Sequence, residues 1–419
     1  MESAITHPGR GTGFLKTSFN GINALSGVGL LSIPYAVSQG GWLSLIIFVA
    51  IAAICCYTAI LLQRCVDFSP RIKNYTDIAE VAFGRRGKLV AATFIYVELY
   101  LAVIGFLIME GDNLDNLFPG LGFRVAAVAV TGKQAFVLLA SLIVLPTTWL
   151  RSLGKLAYVS LGGVLASAAL VAAVLWVGAA DGGVGFHERG VLVNWAGLPT
   201  AVSLYAFCFS THPVIPKLYL GMNDRKMFPM VLVLCFAVSA VGYGLTGAAG
   251  YLMYGASTRS QVTLNLPRGK LSSKIAIYTT LVNPLTKYAL LLVPIADAVE
   301  DGLRVAGSRP ASIAVRTALV SGTTVVALAV PLFGCVTMLT GALMCSSVTM
   351  LMPCVCYLKI SAMVPRKLGF ERVVCIGIIV FAVGNAVVGT YISLKHFVHT
   401  ASERVILDVF MQTEGINTV

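Results

Sequence analysis

The stretch Asn20-Gly-Ile-Asn-Ala-Leu-Ser-Gly-Val-Gly-Leu-Leu-Ser-Ile-Pro-Tyr-Ala36 decides the fold. It carries no charged side chain and is membrane-length, yet Ser26, Gly27 and Gly29 interrupt its middle. Glycine weakens a helix by roughly 1 kcal/mol relative to alanine, and a bilayer offers no water to satisfy backbone groups freed by a break. Such groups are tolerated at mid-depth only where protein or a water-filled cavity meets them. The stretch is therefore read as a broken membrane helix whose interruption faces a ligand site.

The rest of the chain has the composition this reading needs. Of 419 residues, 57% are hydrophobic and 11% charged, too few polar side chains to cover a soluble core. The sequence predicts an all-α polytopic membrane protein. Eleven uncharged or nearly uncharged runs qualify as spans: 17–37, 41–63, 89–109, 134–150, 156–178, 197–216, 228–252, 275–297, 317–334, 335–358 and 373–394. The fourth is short and the ninth and tenth nearly touch, so ten or twelve would also fit.

The net charge of +12 raises nucleic acid as a partner, but the basic residues stand singly between apolar runs, with no stripe and no interleaved aromatics. Nucleic acid is excluded and the lipid bilayer is the partner. With the N-terminus placed in the cytosol, twenty of the thirty Lys and Arg fall in cytosolic segments and nine on the other side, leaving Lys287 inside a span. That bias predicts a cytosolic N-terminus, with a short tail 1–16, and a non-cytosolic C-terminal tail 395–419.

No enzyme chemistry is legible. There is no P-loop, nucleophile elbow, zinc-protease helix or dinucleotide fingerprint. The ten cysteines lie in or beside apolar runs, and Cys354-Val-Cys356 has no further ligand nearby, so neither a disulfide framework nor a metal or cofactor site is expected. Residues 1–16 do not resemble a cleavable signal. The pattern Asn74-Tyr75-Thr76 sits in the basic segment 64–88, on the cytosolic side where it stays unglycosylated. Within that segment, 69–88 reads either as a short amphipathic helix on the membrane face or as a loop packed between helices.

An odd number of spans per half would invert a second copy of the first five. Repeat one then covers about 17–178, repeat two about 197–358, and 373–394 is an added helix. Span 6 should be broken as span 1 is. It reads Tyr205-Ala-Phe-Cys-Phe-Ser-Thr-His-Pro-Val-Ile-Pro216: Pro213 lacks an N–H and disfavours helix at His212, while Ser210, Thr211 and His212 can satisfy freed backbone groups.

A site between two such breaks has definite chemistry. The N–H groups opening the second half of span 1, from about Leu30, suit a carboxylate, and carbonyls ending the first halves can accept from an ammonium. A zwitterion fits both. Candidate substrate contacts are Asn23, Ala24, Ser26, Gly27, Val28 and Gly29 in span 1, with Phe207, Cys208, Phe209 and Ser210 in span 6. Gly27 and Gly29 admit close backbone approach, and Phe207 and Phe209 would flank the ligand side chain. With no acid or base beside either break, neutral amino acids are favoured.

At these residues the chain resembles the amino acid/auxin permease family, within the amino acid–polyamine–organocation superfamily. Asn20 to Ala36 resembles that family's first-helix signature. Glu110-Gly111-Asp112-Asn113-Leu114, Tyr205-Ala206-Phe207-Cys208 with His212, Ser260-Gln261-Val262-Thr263-Leu264-Asn265-Leu266-Pro267 and Val282-Asn283-Pro284-Leu285-Thr286-Lys287-Tyr288 extend the resemblance over nearly the whole chain. Together they are similar to plant-type vacuolar amino acid transporters. The resemblance implies an eleven-helix LeuT-like 5+5 fold and proton-linked amino acid transport, with the proton as coupling ion. Phe209-Ser210-Thr211-His212-Pro213 departs from the more usual Tyr-Ser-Gly-His.

Glu98 and Lys287 fall near the centres of spans 3 and 8, where an unpaired charge costs about 2.5–3.5 kcal/mol on insertion scales. The resemblance makes these spans neighbours, so the two could pair or share a polar pocket, as structural charges or as coupling groups. His212, the one histidine inside a span, is either a gate or a cap on unwound backbone. The expected function is proton-coupled transport of neutral amino acids across an organelle membrane. The alternatives are sodium-coupled transport at the plasma membrane and a sensor without appreciable flux.

Overall fold

The computed structural model describes residues 11–125, 128–149, 156–180, 184–305, 307–330, 332–363 and 369–413. Most of the expected tail 1–16, the basic residues Arg151, Lys155, Arg366 and Lys367, and the last six residues of the expected tail 395–419 lie outside the described residues.

The chain is almost wholly helical. The first apolar stretch forms α1 (Phe14–Leu25) and α2 (Gly29–Gly40), bent by 53° across three residues. There follow α3 (Ser44–Phe68), α4 (Tyr75–Leu117), α5 (Gly132–Thr148) and α6 (Leu156–Ala180). Between α4 and α5 lies a two-stranded hairpin, β1 (Phe123–Val125) and β2 (Val128–Val130), with Phe123 opposite Val130. The sixth stretch breaks into α7 (Leu198–Cys208) and α8 (Ile215–Leu220), with a 3-10 turn His212–Val214 before α8. Then come α9 (Phe228–Tyr254), α10 (Leu271–Gly302) and α11 (Arg309–Ala329). Next, α12 (Phe333–Leu339) and α13 (Met352–Ser361) flank a π-helical segment Thr340–Leu351, and α14 (Gly369–Thr413) follows.

Among the described residues eight helices are long and apolar enough to cross a membrane, and the bent α1–α2 pair makes a ninth. The remaining two expected spans are occupied by α5, an apolar helix of 17 residues, and by the α7–α8 pair. Two helix ends follow directly from cap chemistry. Asn74 accepts from the Asp77 N–H while Asp77 accepts from the Asn74 N–H, and Thr131 and Gln134 do the same for α5. The Asn74 amide of the glycosylation pattern is thus the cap of α4.

Three boundaries differ from the sequence reading. Residues 75–83 of the basic segment are helical, as the amphipathic reading had it, but join the third span as one helix kinked at Gly84, whose φ of 70° an L side chain rarely adopts. The segment is also anchored inside the protein, since the buried Tyr75 hydroxyl donates to the Val348 carbonyl of the π-helical segment at 2.6 Å. Helix α11 starts at Arg309, ahead of the expected 317. Its first turns are polar but are held by Arg316, which bonds Glu300, Asp297 and the Thr148 carbonyl, each at 2.7–2.8 Å. The last helix continues past 394 to Thr413, there being no Pro or Gly from 390 to 413 to stop it.

Two packing relations position the site. α2 lies against α7 and α9, and α10 lies against α6 and α4. α14 covers the π-helical segment and α7, fastened by Asn385, which donates to Ser346 at 2.8 Å and accepts from Ser203 at 3.4 Å.

Candidate substrate and coupling site

The two interruptions meet. α1 ends at Leu25, and Ser26 and Gly27 run unwound into Val28, the residue that caps α2. α7 ends at Cys208, and Phe209, Ser210 and Thr211 lead into the turn at His212. Cys208 Sγ donates to the Gly29 carbonyl at 3.5 Å, so the start of α2 rests on the end of α7.

Every break exposes carbonyls that lose their helical partners, and the structure gives them to protein donors. Lys287 of α10 places Nζ 2.7 Å from the Asn23 carbonyl and 2.8 Å from that of Ser26. The Tyr243 hydroxyl of α9 donates to the Leu25 carbonyl at 2.5 Å and lies 3.4 Å from the Cys208 carbonyl. The sequence reading left these carbonyls for a substrate ammonium; the described conformation commits three of span 1's to Lys287 and Tyr243. Charge-assisted bonds of the Lys287 type contribute about 1.5–3 kcal/mol each.

Glu98 of α4 is buried at the other break. The Ser210 hydroxyl donates to Oε1, Cys345 Sγ of the π-helical segment lies 3.5 Å from the same oxygen, and Oε2 is buried with no hydrogen-bond partner. Glu98 and Lys287 form no ion pair with each other: each reaches a different interrupted helix. A lone carboxyl oxygen buried without a partner costs free energy when charged.

His212 is fully buried, with Nε2 3.0 Å from Thr58 Oγ1 and 3.1 Å from the Cys55 carbonyl, while Nδ1 has no partner. A carbonyl can only accept, so Nε2 carries the hydrogen. The ring ties the span 6 break to α3.

The remaining candidates divide between two cavities and the packing around them. Val28 and Phe207 line a small apolar cavity with Leu101, Gly105 and Phe106 of α4, Phe333, Val336 and Thr337 of α12, and Thr340. Gly27 and Val28 line a second small cavity with Met109, Ser167 of α6 and Thr279, Thr280 and Asn283 of α10. Gly27 has open space around its Cα, the nearest atom to an added Cβ being the Leu25 carbonyl at 3.8 Å. Ala24 faces an apolar crevice toward α8 and α9, and Asn23 packs against Gly163 with Oδ1 unpartnered.

Phe209 is turned away from both cavities. Its ring is buried among Phe48, Phe236 and Tyr243 at centroid distances of 5.2, 6.0 and 5.7 Å. α7 has already ended, so Phe207 and Phe209 do not share a face.

Sequence reasoning missed Tyr243, which shares its apolar span with Tyr251, and the pairing of two quoted motifs. Asn113 donates to Gln261 Oε1 at 2.7 Å and Gln261 donates to Asp112 at 2.9 Å, with Lys133 on the same aspartate. Both amides are fully buried, locking the end of α4 to the segment before α10.

Two interrupted helices packed within one bundle define a transporter scaffold of the LeuT-like class. The structure is similar to the crystal structure of MhsT in complex with L-phenylalanine, with a TM-score of 0.56 at 14% identity, covering 89% of this chain and 98% of that one. The sequence matches the family described as transmembrane amino acid transporter protein over residues 10–395, and the chain belongs to it. Among curated relatives, amino acid transporter AVT1I of Arabidopsis thaliana is 45% identical over 92% of this chain and 95% of its own length. AVT1J of the same plant is 45% identical over 93% and 92%, and amino acid transporter ANT1 is 26% identical over 92% and 93%. The protein is thus an integral multi-pass amino acid transporter and not an enzyme.

Proposed function

We propose that this transporter moves neutral amino acids by alternating access, driven by a proton gradient across an organelle membrane, for which the resemblance to plant-type transporters favours the vacuole. The observation that carries the reading is the contact between Glu98 and Ser210. A carboxyl that can hold or release a proton touches the residue at which span 6 is interrupted, so a change in its protonation alters a bond on a moving part of the site. Ser210 donates to Oε1 of the carboxylate; a proton on Oε2, which has no partner, would leave Oε1 a neutral carbonyl oxygen and weaken the bond it accepts from Ser210.

Lys287 supports the same coupling. Its ammonium occupies the two carbonyls, Asn23 and Ser26, at which a metal cation could otherwise be held. The substrate carboxylate is assigned to the N-terminal end of α2 at Gly27 to Gly29. The side chain is assigned to the cavity under Phe207, whose lining contains no ionisable residue and so favours neutral substrates. The basic bias of the loops supports eleven crossings with a cytosolic N-terminus and a non-cytosolic C-terminus, repeats at about 17–178 and 197–358, and an added last helix.

Flux of an amino acid panel in proteoliposomes, under imposed pH or sodium gradients, tests this. Concentrative uptake of neutral amino acids with a pH gradient alone is expected. Dependence on a sodium gradient would replace the proton, and saturable binding with no flux would make the protein a sensor.

A further inference from the structure

Tyr243 touches both interruptions from a continuous helix. Its ring is buried in the bundle, with 1% of the residue exposed, and its hydroxyl stands where a helical turn is missing. It donates to the Leu25 carbonyl at 2.5 Å. One phenol thereby holds the last carbonyl of α1, the point from which Ser26, Gly27 and Val28 leave the helix.

The same residue reaches the second break twice. The Cys208 carbonyl, at the end of α7, lies 3.4 Å from the hydroxyl. The Phe209 ring meets the Tyr243 ring edge-on at 5.7 Å. Phe209 is the first residue beyond α7, so a shift of the span 6 break moves a ring that carries the hydroxyl holding span 1.

We propose that Tyr243 is a positioning residue for substrate binding, whose hydroxyl sets the backbone at Gly27 and Val28 and whose ring couples that backbone to the interruption of span 6. This rests on the reading above that substrate binds at the break. Spans 1 and 6 are each discontinuous and cannot hold their own ends in register, and Tyr243 comes from α9, an unbroken 27-residue helix. A rigid element supplies the reference against which the two interrupted ones are placed.

The test is Tyr243→Phe, which keeps the ring and its packing on Phe209 and deletes only the hydroxyl, measured by amino acid uptake in proteoliposomes at matched protein amounts. KM is expected to rise about tenfold with Vmax within about twofold, the loss of oriented backbone acting on binding. Thr246→Val is the control: Thr246 is a buried hydroxyl on the same helix, bonded to its own Gly242 carbonyl at 2.9 Å, and its loss should leave KM unchanged. Wild-type KM in Tyr243→Phe overturns the proposal, and so does an equal KM rise in Thr246→Val, which would make the effect a general one of buried hydroxyls on α9. A fall in yield and Vmax with unaltered KM makes Tyr243 a packing residue and also overturns it. Should Tyr243→Phe fold poorly, substrate-induced thermal stabilisation of the surviving folded fraction gives the same answer through Kd. Gly27→Val separates this from the site itself: wild-type KM there removes span 1 from the substrate site, whereas a loss there beside wild-type KM in Tyr243→Phe removes only the tyrosine.

Discussion

Gly29 and Cys208 press the two interrupted helices together. Cys208 Sγ donates to the Gly29 carbonyl at 3.5 Å, and a Cβ on residue 29 would stand 2.8 Å from Sγ and 3.0 Å from the Cys208 Cα. The Cα belongs to backbone and cannot swing aside, so Gly29→Ala must separate α2 from α7. Overpacking of this kind costs about 1–3 kcal/mol, and transport is expected to fall with the thermal midpoint. Gly27→Ala has room and should keep the wild-type midpoint, its effect confined to substrate affinity. Equal melting of the two variants with wild type would show that the breaks do not bear on each other.

Lys287 holds two carbonyls of the span 1 break, those of Asn23 and Ser26. Lys287→Met preserves much of the apolar stem and strands the carbonyls of Asn23 and Ser26, each at a cost of about 1–3 kcal/mol. The expected result is a lower thermal midpoint with a greater loss of transport than of folded protein. Adding sodium chloride in place of potassium chloride should partly restore the midpoint if a metal cation can take the vacated carbonyls, a comparison that needs only the purified variant. A wild-type midpoint in Lys287→Met would remove the lysine from the break.

The architecture was legible where the chain departs from its own rule. Glycines in an uncharged run, a proline after Ser-Thr-His and two charges at mid-depth are exceptions to an apolar background, and each exception falls at the breaks. What stayed hidden obeys the background. Tyr243 is one of fifteen tyrosines, and nothing in its apolar neighbours indicates which face it occupies or that a carbonyl lies opposite. The π-helical segment Thr340–Leu351 reads as any apolar helix, because a five-residue hydrogen-bond step leaves no mark in composition. Phe207 and Phe209 looked equivalent because the end of α7 at Cys208, which sends them to different surroundings, is set by tertiary packing. Glu98 and Lys287 were left either to pair or to share a polar pocket, because the resemblance makes spans 3 and 8 neighbours and mid-membrane depth does not give the side each faces.

The buried amides of Asn113 and Gln261 make a latch across the ends of α4 and the segment leading to α10. Among the described residues, the two side-chain amides bond each other, Asp112 and the Met109 carbonyl. Gln261→Ala and Asn113→Ala should each lower the thermal midpoint, and the double variant should fall by less than the sum, with a coupling of about 0.5–3 kcal/mol. Simple additivity would mean that the two amides are stabilised separately.

Specificity should follow the lining of the cavity under Phe207. Phe207→Ala enlarges that small apolar space and is expected to favour bulkier neutral amino acids over small ones in competition assays. Because no ionisable group lines that space, glutamate and lysine should compete at least about tenfold more weakly than neutral substrates. A charged amino acid that competes as well as leucine would move the side-chain pocket elsewhere.

Coupling is tested at Glu98. Glu98→Gln keeps the shape and leaves a carbonyl oxygen to accept from Ser210, but the amide cannot take up or release a proton. Net uptake driven by a pH gradient should therefore fall toward its value without a gradient, a loss of about tenfold or more, while substrate exchange at equal pH persists within a few-fold. Lys287 provides the second arm. It bonds the carbonyls of Asn23 and Ser26 and forms no ion pair with Glu98, so in the double variant Glu98→Gln with Lys287→Met the two losses of stability should add. Were the carboxyl and the ammonium a structural pair, neutralising both would instead recover the stability lost in either single variant, with pH-driven transport intact. That recovery would leave Glu98 as a scaffold group and return the coupling ion to an open question of where else a proton could ride.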